Sequence, residues 1–381
     1  MSELRVQEIH NPTVQTGGIE IDNNDVVSIN GQALPTAGAF GNRNLIINGN
    51  MLIDQRNSGS STTPSGDQTY VFDRWKVRNS NATGRFSVEQ SGTSPNDIDP
   101  SMLLTVTTTD TPSGVEFYAI EQPIEGHNFA RAAAGSANSE ILTLTFFVRS
   151  SLTGTYCVSL RNSDASRSFV AEYTIDRVDT WEPQTIEVPA ITTGTWNTTT
   201  GTGASVAFCL GSGPDREGST GWQSANAVAT SNQVDWINSN GATFFISGVQ
   251  LEVGSVATPF ERLSYSTQLA LCQRYYLSIV AVEANSRIAI AGNGSINQCF
   301  PTFFAPTTMR AAPAIDFSAA NDFQVEGIAG GGKATATSIT INRATTESIT
   351  VQVDTAGGTG ASGGNLLSEN NNVWFAFNAE L

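Results

Sequence analysis

The chain has 381 residues, 39% of them hydrophobic, which is enough to fill cores in about two to three domains. Acidic residues outnumber basic ones 35 to 19, the net charge is −16, and Lys76 and Lys333 are the only lysines. That balance excludes nucleic-acid binding by counterion displacement and charge-driven docking on an anionic membrane. Abundant Ser, Thr, Asn and Gly, without long Ala/Leu/Glu/Lys stretches, predict strands joined by polar turns.

Residues 1–43 form the first unit in chain order. Met1–Glu8 lacks the apolar core of an export signal, so synthesis in a cytoplasm without signal-peptide export is expected. Gly17–Gly31 reads as two short strands around the Asx turn Asp22-Asn23-Asn24-Asp25. Some forty residues cannot bury a core that offsets their own chain entropy. This arm is therefore expected to pack on other copies of itself or on another protein. Leu34–Gly41 reads as a linker.

From Asn44 to Arg262 apolar residues recur at every second position. Leu142, Leu144, Phe146 and Val148 share a face, as do Tyr156, Val158 and Leu160; Phe169, Ala171, Tyr173 and Ile175; and Val206, Phe208 and Leu210. Phe245, Val249, Leu251 and Val253 are expected to share another. Period-two runs between polar turns predict an antiparallel jelly-roll β-sandwich over 44–262. Residues 263–276 are expected to connect, with a short helix capped by Ser264 or Ser266. Strand-like runs at 338–342, 348–353 and 373–377, between Gly-rich stretches, predict a second, smaller β-sandwich over 277–381. The predicted fold class is thus mainly β: an N-terminal arm, a jelly roll and a C-terminal β-domain. With no apolar run of 18 residues, no transmembrane helix is expected.

Few residues suggest bond-making chemistry. Cys157, Cys209, Cys272 and Cys299 form no CxxC pair, and His10 and His127 are the only histidines, so a zinc site is not expected and the thiols read as buried. His127 lies in no triad pattern and no G-x-S-x-G elbow occurs. The acid pairs Asp97 and Asp99, Glu116 and Glu121, and Asp215 and Glu217 read as turn or surface residues rather than a glycosidase pair. The cluster Asp22–Asp25 lacks the spacing of a calcium loop. No cofactor is expected. Trp75 and Trp374 read as core; Trp196, Trp222 and Trp236, nearer turns, read as core edge, with a sugar-stacking platform as the alternative.

Several segments together carry a family resemblance. Asn44-Leu45-Ile46-Ile47-Asn48-Gly49-Asn50-Met51-Leu52-Ile53-Asp54-Gln55-Arg56, then Phe72-Asp73-Arg74-Trp75, resembles the opening of a jelly-roll domain in bacteriophage and prophage tail fibre proteins. Ile246–Gly254 with Ala257–Arg262, Leu269–Tyr276, Pro306–Pro313 and the ending Phe377-Asn378-Ala379-Glu380-Leu381 are similar to later parts of the same family, so the likeness spans 44–381. It implies a virion component, a homotrimeric tail fibre with residues 1–43 attached to a tail or adaptor protein and a terminal domain that meets the host. The jelly roll also resembles carbohydrate-binding modules, which often hold a structural calcium. Where their last strand carries Asp-Asp before Val, this chain has Ser247 and Gly248, so an inherited calcium site is not expected. Asp73, Arg74, Gln250 and Glu252, with Arg56 as a further partner, are expected to form polar pairs at a sheet edge or between protomers, with a folding role.

The function this implies is non-enzymatic adhesion to a host-surface glycan or outer-membrane receptor, with loops around Asn293, Phe323 and Asn371 as the expected contact surface. The alternatives are a purely structural virion part (adaptor, collar, whisker or decoration) and a polysaccharide depolymerase. The long repeating β-helix usual for a depolymerase is not visible in the sequence.

Overall fold

A computed structural model describes residues 43–381 apart from Asn81, 96–97, Ile296, 328–331 and 357–363, together with the backbone of four short N-terminal strands; the side chains of 293–295 lie outside this description. The chain divides into two compact units. The first comprises 1–52, 60–69 and 76–263, and the second 53–59, 70–75 and 264–381. Two short segments from the predicted jelly roll thus belong with the C-terminal unit.

The N-terminal strands are Glu8–His10, Gly18–Ile21, Val27–Ile29 and Gln32–Ala33, an antiparallel meander in chain order. Its register sets Ile9 opposite Ile19 and Ile19 opposite Ile29. The Asp22–Asp25 cluster lies outside the described residues.

The first unit is a sandwich of two antiparallel sheets. One has five strands in the order Glu182–Val188, Leu142–Ser150, Thr243–Val253, Ser101–Thr108 and Arg85–Ser91. The other has seven, Gly221–Gln223, Ser168–Ile175, Gly154–Asn162, Thr202–Ser212, Phe117–Glu125, Trp75–Ser80 and Thr69–Phe72, of which residues 70–72 and Trp75 are counted with the second unit. The alternating residues read from the sequence meet between the sheets. Leu142, Leu144, Phe146 and Val148 are buried, as are Val158, Leu160, Val206 and Phe208. Phe146 of the five-stranded sheet packs edge-on against Phe208 and Tyr173 of the seven-stranded one, with ring centroids 4.9 and 5.1 Å apart. Such contacts add to the burial of apolar area that drives sheet stacking.

One predicted face is corrected. The register of Leu142–Ser150 against Thr243–Val253 slips between Thr145 and Phe147, beside Gly248 at φ +63°. A one-residue slip exchanges the two faces of a strand. Ile246 is therefore paired with inward-facing Val148, and Leu251 with inward-facing Leu144. Phe245 instead takes the outer face with its partner Arg149, whose guanidinium carbon lies 4.8 Å from the ring centroid.

In the second unit the predicted connector helix forms over Tyr265–Gln273, and Ser264 Oγ accepts from Thr267 N–H at 3.3 Å. A three-stranded sheet runs Tyr276–Ala281, Val373–Asn378, Ala314–Phe317. Six further strands close into a barrel in the order Arg287–Ser295, Gln298–Phe304, Ser348–Thr355, Lys333–Ala344, Phe323–Gly327 and Gly364–Ser368. Both share one core, in which Phe303, Phe323, Phe375 and Phe377 are buried.

Candidate functional site

Family-marker residues far apart in sequence converge in the second unit, on Glu380. Glu380 Oε1 accepts from Arg56 Nη2 at 3.1 Å and from the Arg74 backbone N–H at 3.2 Å, and Oε2 accepts from Arg74 Nη1. The Arg56 guanidinium lies 3.6 Å from the Tyr276 ring centroid, and that of Arg74 lies 3.6 Å from Tyr275. Arg310 donates to the carbonyls of Ala379 and Glu380, and Tyr70 Oη to that of Leu381 at 2.6 Å. Arg74 occupies a left-handed turn at φ +71°, a costly conformation for a side chain, between Phe72 and Trp75. Burial would lower the Arg74 pKa, but the Glu380 charge outweighs it and raises it. Beside this clasp, burial pushes Asp73 up to about 7, although Gln55 donates to it from its backbone N–H at 2.7 Å and from its side chain at 2.5 Å. The polar pairs expected among the markers thus exist, and they tie segments of one unit together.

Gln250 and Glu252 form a second latch, in the first unit. Gln250 Nε2 donates to Glu252 Oε1 at 3.0 Å, Thr258 N–H and Oγ1 donate to Glu252, and Gln250 Oε1 accepts from Glu261 N–H. Asn44 Oδ1 accepts from the N–H groups of Ile46 and Leu251, which fixes the opening segment beside the last strand. Ser247 Oγ donates to the carbonyls of Ile98 and Pro100. Among the described residues no group of three His, Cys, Asp or Glu could hold a metal ion.

The outer face of the seven-stranded sheet carries a buried ion cluster. Glu121 is contacted by Lys76 at 3.4 Å, by Arg78 at 2.8 Å and by Arg161. Burial alone would raise its pKa, but Arg161, Arg78 and Lys76 outweigh that and hold it at about 2. A carboxylate so fixed in its ionised form is a poor proton donor. Glu116 caps a turn, accepting from Ser113 N–H and Oγ at 2.7 and 2.9 Å. Asp215 lies in the 3-10 turn Pro214–Arg216, with Glu217 next to it in sequence. His127 is exposed in the short helix Gly126–Phe129; Asp97 and the side chain of His10 lie outside the described residues.

The three residues expected at a contact surface have different fates. Asn371 is exposed in the turn before Val373–Asn378, and its Oδ1 accepts from Ala284 N–H at 2.8 Å. Asn293 falls within the strand Arg287–Ser295; its side chain lies outside the described residues. Phe323 is a correction. It opens the strand Phe323–Gly327 with its ring fully buried, edge-on to Phe375 at 6.0 Å and Phe317 at 6.4 Å, so it fills the core and cannot meet a surface ligand.

Sequence reasoning missed the exposed apolar side chains of the second unit. Ile290 is 77% exposed and Phe304 78%, both on strands of the barrel, and Val280 and Val282 are exposed nearby in sequence. Thr302, also exposed, alternates with inward-facing Phe303 on the strand of Phe304. The signal was available: the inward set Cys299, Pro301, Phe303 sends Phe304 outward by parity. Among the tryptophans, Trp75 and Trp236 are fully buried, Trp196 nearly so, and Trp222 and Trp374 half-buried.

No protein-family profile matches the chain, and no curated protein matches it. Solved structures align with parts of it. They include the enzymatically active domain of tailspike protein 4 of bacteriophage CBA120, at 14% identity and TM-score 0.30, over 56% of this chain and 22% of that one. Another is a family 11 carbohydrate-binding module from Clostridium thermocellum in complex with a β-1,3-1,4-mixed-linked tetrasaccharide, at 10% and 0.28, over 51% and 96%. A third is TmCBM61 in complex with β-1,4-galactotriose, at 13% and 0.22, over 56% and 99%. At these scores the likenesses carry no argument about ligand or activity.

Proposed function

We propose that this chain is a non-enzymatic adhesin of a phage tail fibre, homotrimeric, attached to the tail through residues 1–43 and binding a host-surface glycan or outer-membrane receptor through its C-terminal unit. The reading rests on the tail-fibre resemblance of 44–381 and, for the location of the contact, on one observation. Large apolar side chains, Ile290 and Phe304 above all, stand exposed on the strands of the C-terminal barrel instead of joining its core. Exposed aromatic and aliphatic groups rimmed by hydroxyls are what a contact surface presents. Thr302 and Thr350, joined Oγ1 to Oγ1 at 2.9 Å on neighbouring strands, supply such hydroxyls. In this reading the contact surface takes in Ile290 and Phe304, together with Asn293 on the Ile290 strand and Asn371 in its turn beside Ala284.

An acidic fibre is repelled at long range by an acidic cell surface, so adhesion rests on short-range stacking and hydrogen bonds, multiplied by several chains. Immobilised chain is expected to retain cells of the host strain at physiological salt, and an Ile290→Ser/Phe304→Ser variant is expected to lose that retention while keeping its melting temperature. Retention abolished by a modest rise in ionic strength, or unchanged in the variant, contradicts the reading. A chain that retains no cells at all is a structural virion part. New reducing ends released from host polysaccharide would make it a depolymerase.

A further inference from the structure

Arg167 differs from the arginines that meet Glu380 and Glu121. It is half-buried, and among the described residues no carboxylate forms an ion pair with it. Its Nη1 donates to Ser224 Oγ at 3.0 Å, and its guanidinium carbon lies 5.8 Å from the Trp222 ring centroid. Its stem runs past Gly194, where an added Cβ would come within 3.5 Å of Arg167 Cγ. The buried Nε has no hydrogen-bond partner.

The ring beside it is equally fixed. Trp222 sits half-buried on the three-residue edge strand Gly221–Gln223, directly opposite Phe169 in register. Its Nε1 donates to the Pro189 carbonyl at 2.9 Å. Phe169 and Trp196 back it, with centroids 5.4 and 5.9 Å away, Trp196 edge-on at 86°. Contacts within the chain thus already orient both cation and indole, which lowers the ordering cost of binding.

A half-exposed indole offers an apolar face to the C–H face of a pyranose. A guanidinium with spare N–H donors matches a carboxylate in geometry as well as charge. In a chain of net charge −16, a cation that pairs with no carboxylate among the described residues is a local attractor for an anionic group. We infer that Trp222 and Arg167 form a subsite for an acidic sugar, a hexuronate or a nonulosonate, on the edge of the sandwich. The subsite lies apart from the Ile290/Phe304 surface in sequence and in unit, and it shares only the ligand class with the adhesin reading.

The test titrates the full-length chain with oligogalacturonate, glucuronate and N-acetylneuraminate, following tryptophan fluorescence and heat, with the methyl-esterified oligogalacturonate as a charge-free control. At least one acid is expected to saturate, and the ester to bind about tenfold more weakly, the size of one lost charge-assisted contact. Arg167→Gln should bring the acid down to the level of the ester without lowering the melting temperature. Trp222→Ala should abolish both, and Trp222→Phe, which keeps an apolar ring for the core, should retain part of the binding. No saturation by any of the three acids, or acid binding unaffected by Arg167→Gln, overturns the inference. Neither result depends on cells, so failure here and failure of the adhesin reading are told apart.

Discussion

Glu380 shows what single residues do in this chain. Its two oxygens hold both Arg56 and Arg74, so its removal takes a carboxylate partner from the buried Arg74 and the half-buried Arg56. Breaking such a buried pair costs about 3–5 kcal/mol. Glu380→Ala is expected to destabilise the second unit by that amount, lowering its melting transition, and to leave that of the first unit in place, as calorimetry would show. Asp73 and Glu121 give the two units opposite pH signatures. The folded pKa of Asp73, about 7, lies above its ordinary 3.8, so the folded state holds the proton longer and this group's contribution falls as pH rises from about 4 to 7. The folded pKa of Glu121, about 2, lies below 4.5, so its contribution is full above about 4.5 and is lost as pH falls toward 2. Acidification from pH 7 to 4.5 should therefore raise the second transition relative to the first, and Asp73→Asn should flatten that difference. The thiols are inert by the same logic. Burial pushes Cys209 up to about 12 and Cys299 to about 11, and raises Cys157 and Cys272. A thiol-specific disulfide reagent is expected to label none of the four in the native protein and all four after denaturation.

At the scale of elements, the strand alternation was legible because a half-buried sheet writes its burial as period two. Leu142–Val148 and Tyr156–Leu160 lie as the sequence places them, and the helix cap at Ser264 is local chemistry that needs no long-range partner. The slip at Gly248 was not legible, since a bulge is set by how two strands pair and leaves only a glycine behind. Gly248→Ala places a Cβ at φ +63° and within 3.1 Å of Phe147 Cδ2. It is expected to cost the first unit about 1–3 kcal/mol. The Glu380 clasp was half legible: the marker residues were singled out, but Arg74 and Glu380 stand 306 positions apart and nothing in the sequence names them as partners. Phe323 was misplaced because an aromatic just after a turn can open a strand and point inward as readily as it can tip a loop. The same clasp carries residues 53–59 and 70–75 into the second unit, so a fragment beginning at residue 264 is expected to stay unfolded, with no cooperative melt, while the intact chain shows two transitions.

At the scale of the whole molecule, composition set the useful limits. A charge of −16 with two lysines disfavours nucleic acid as a partner, and in the adhesin reading it leaves stacking and hydrogen bonds as the attraction. The N-terminal meander, whose register aligns Ile9, Ile19 and Ile29, offers too little chain to form a core alone, and it is the segment through which copies are proposed to join. In the proposed trimer, three weak sites would act together. The adhesin reading makes a direct demand on the phage that carries the chain. Host cells pre-incubated with purified chain should adsorb that phage more slowly, in proportion to the sites occupied, and the Ile290→Ser/Phe304→Ser variant should not compete. An adsorption rate unchanged by a saturating excess of the intact chain would contradict the account.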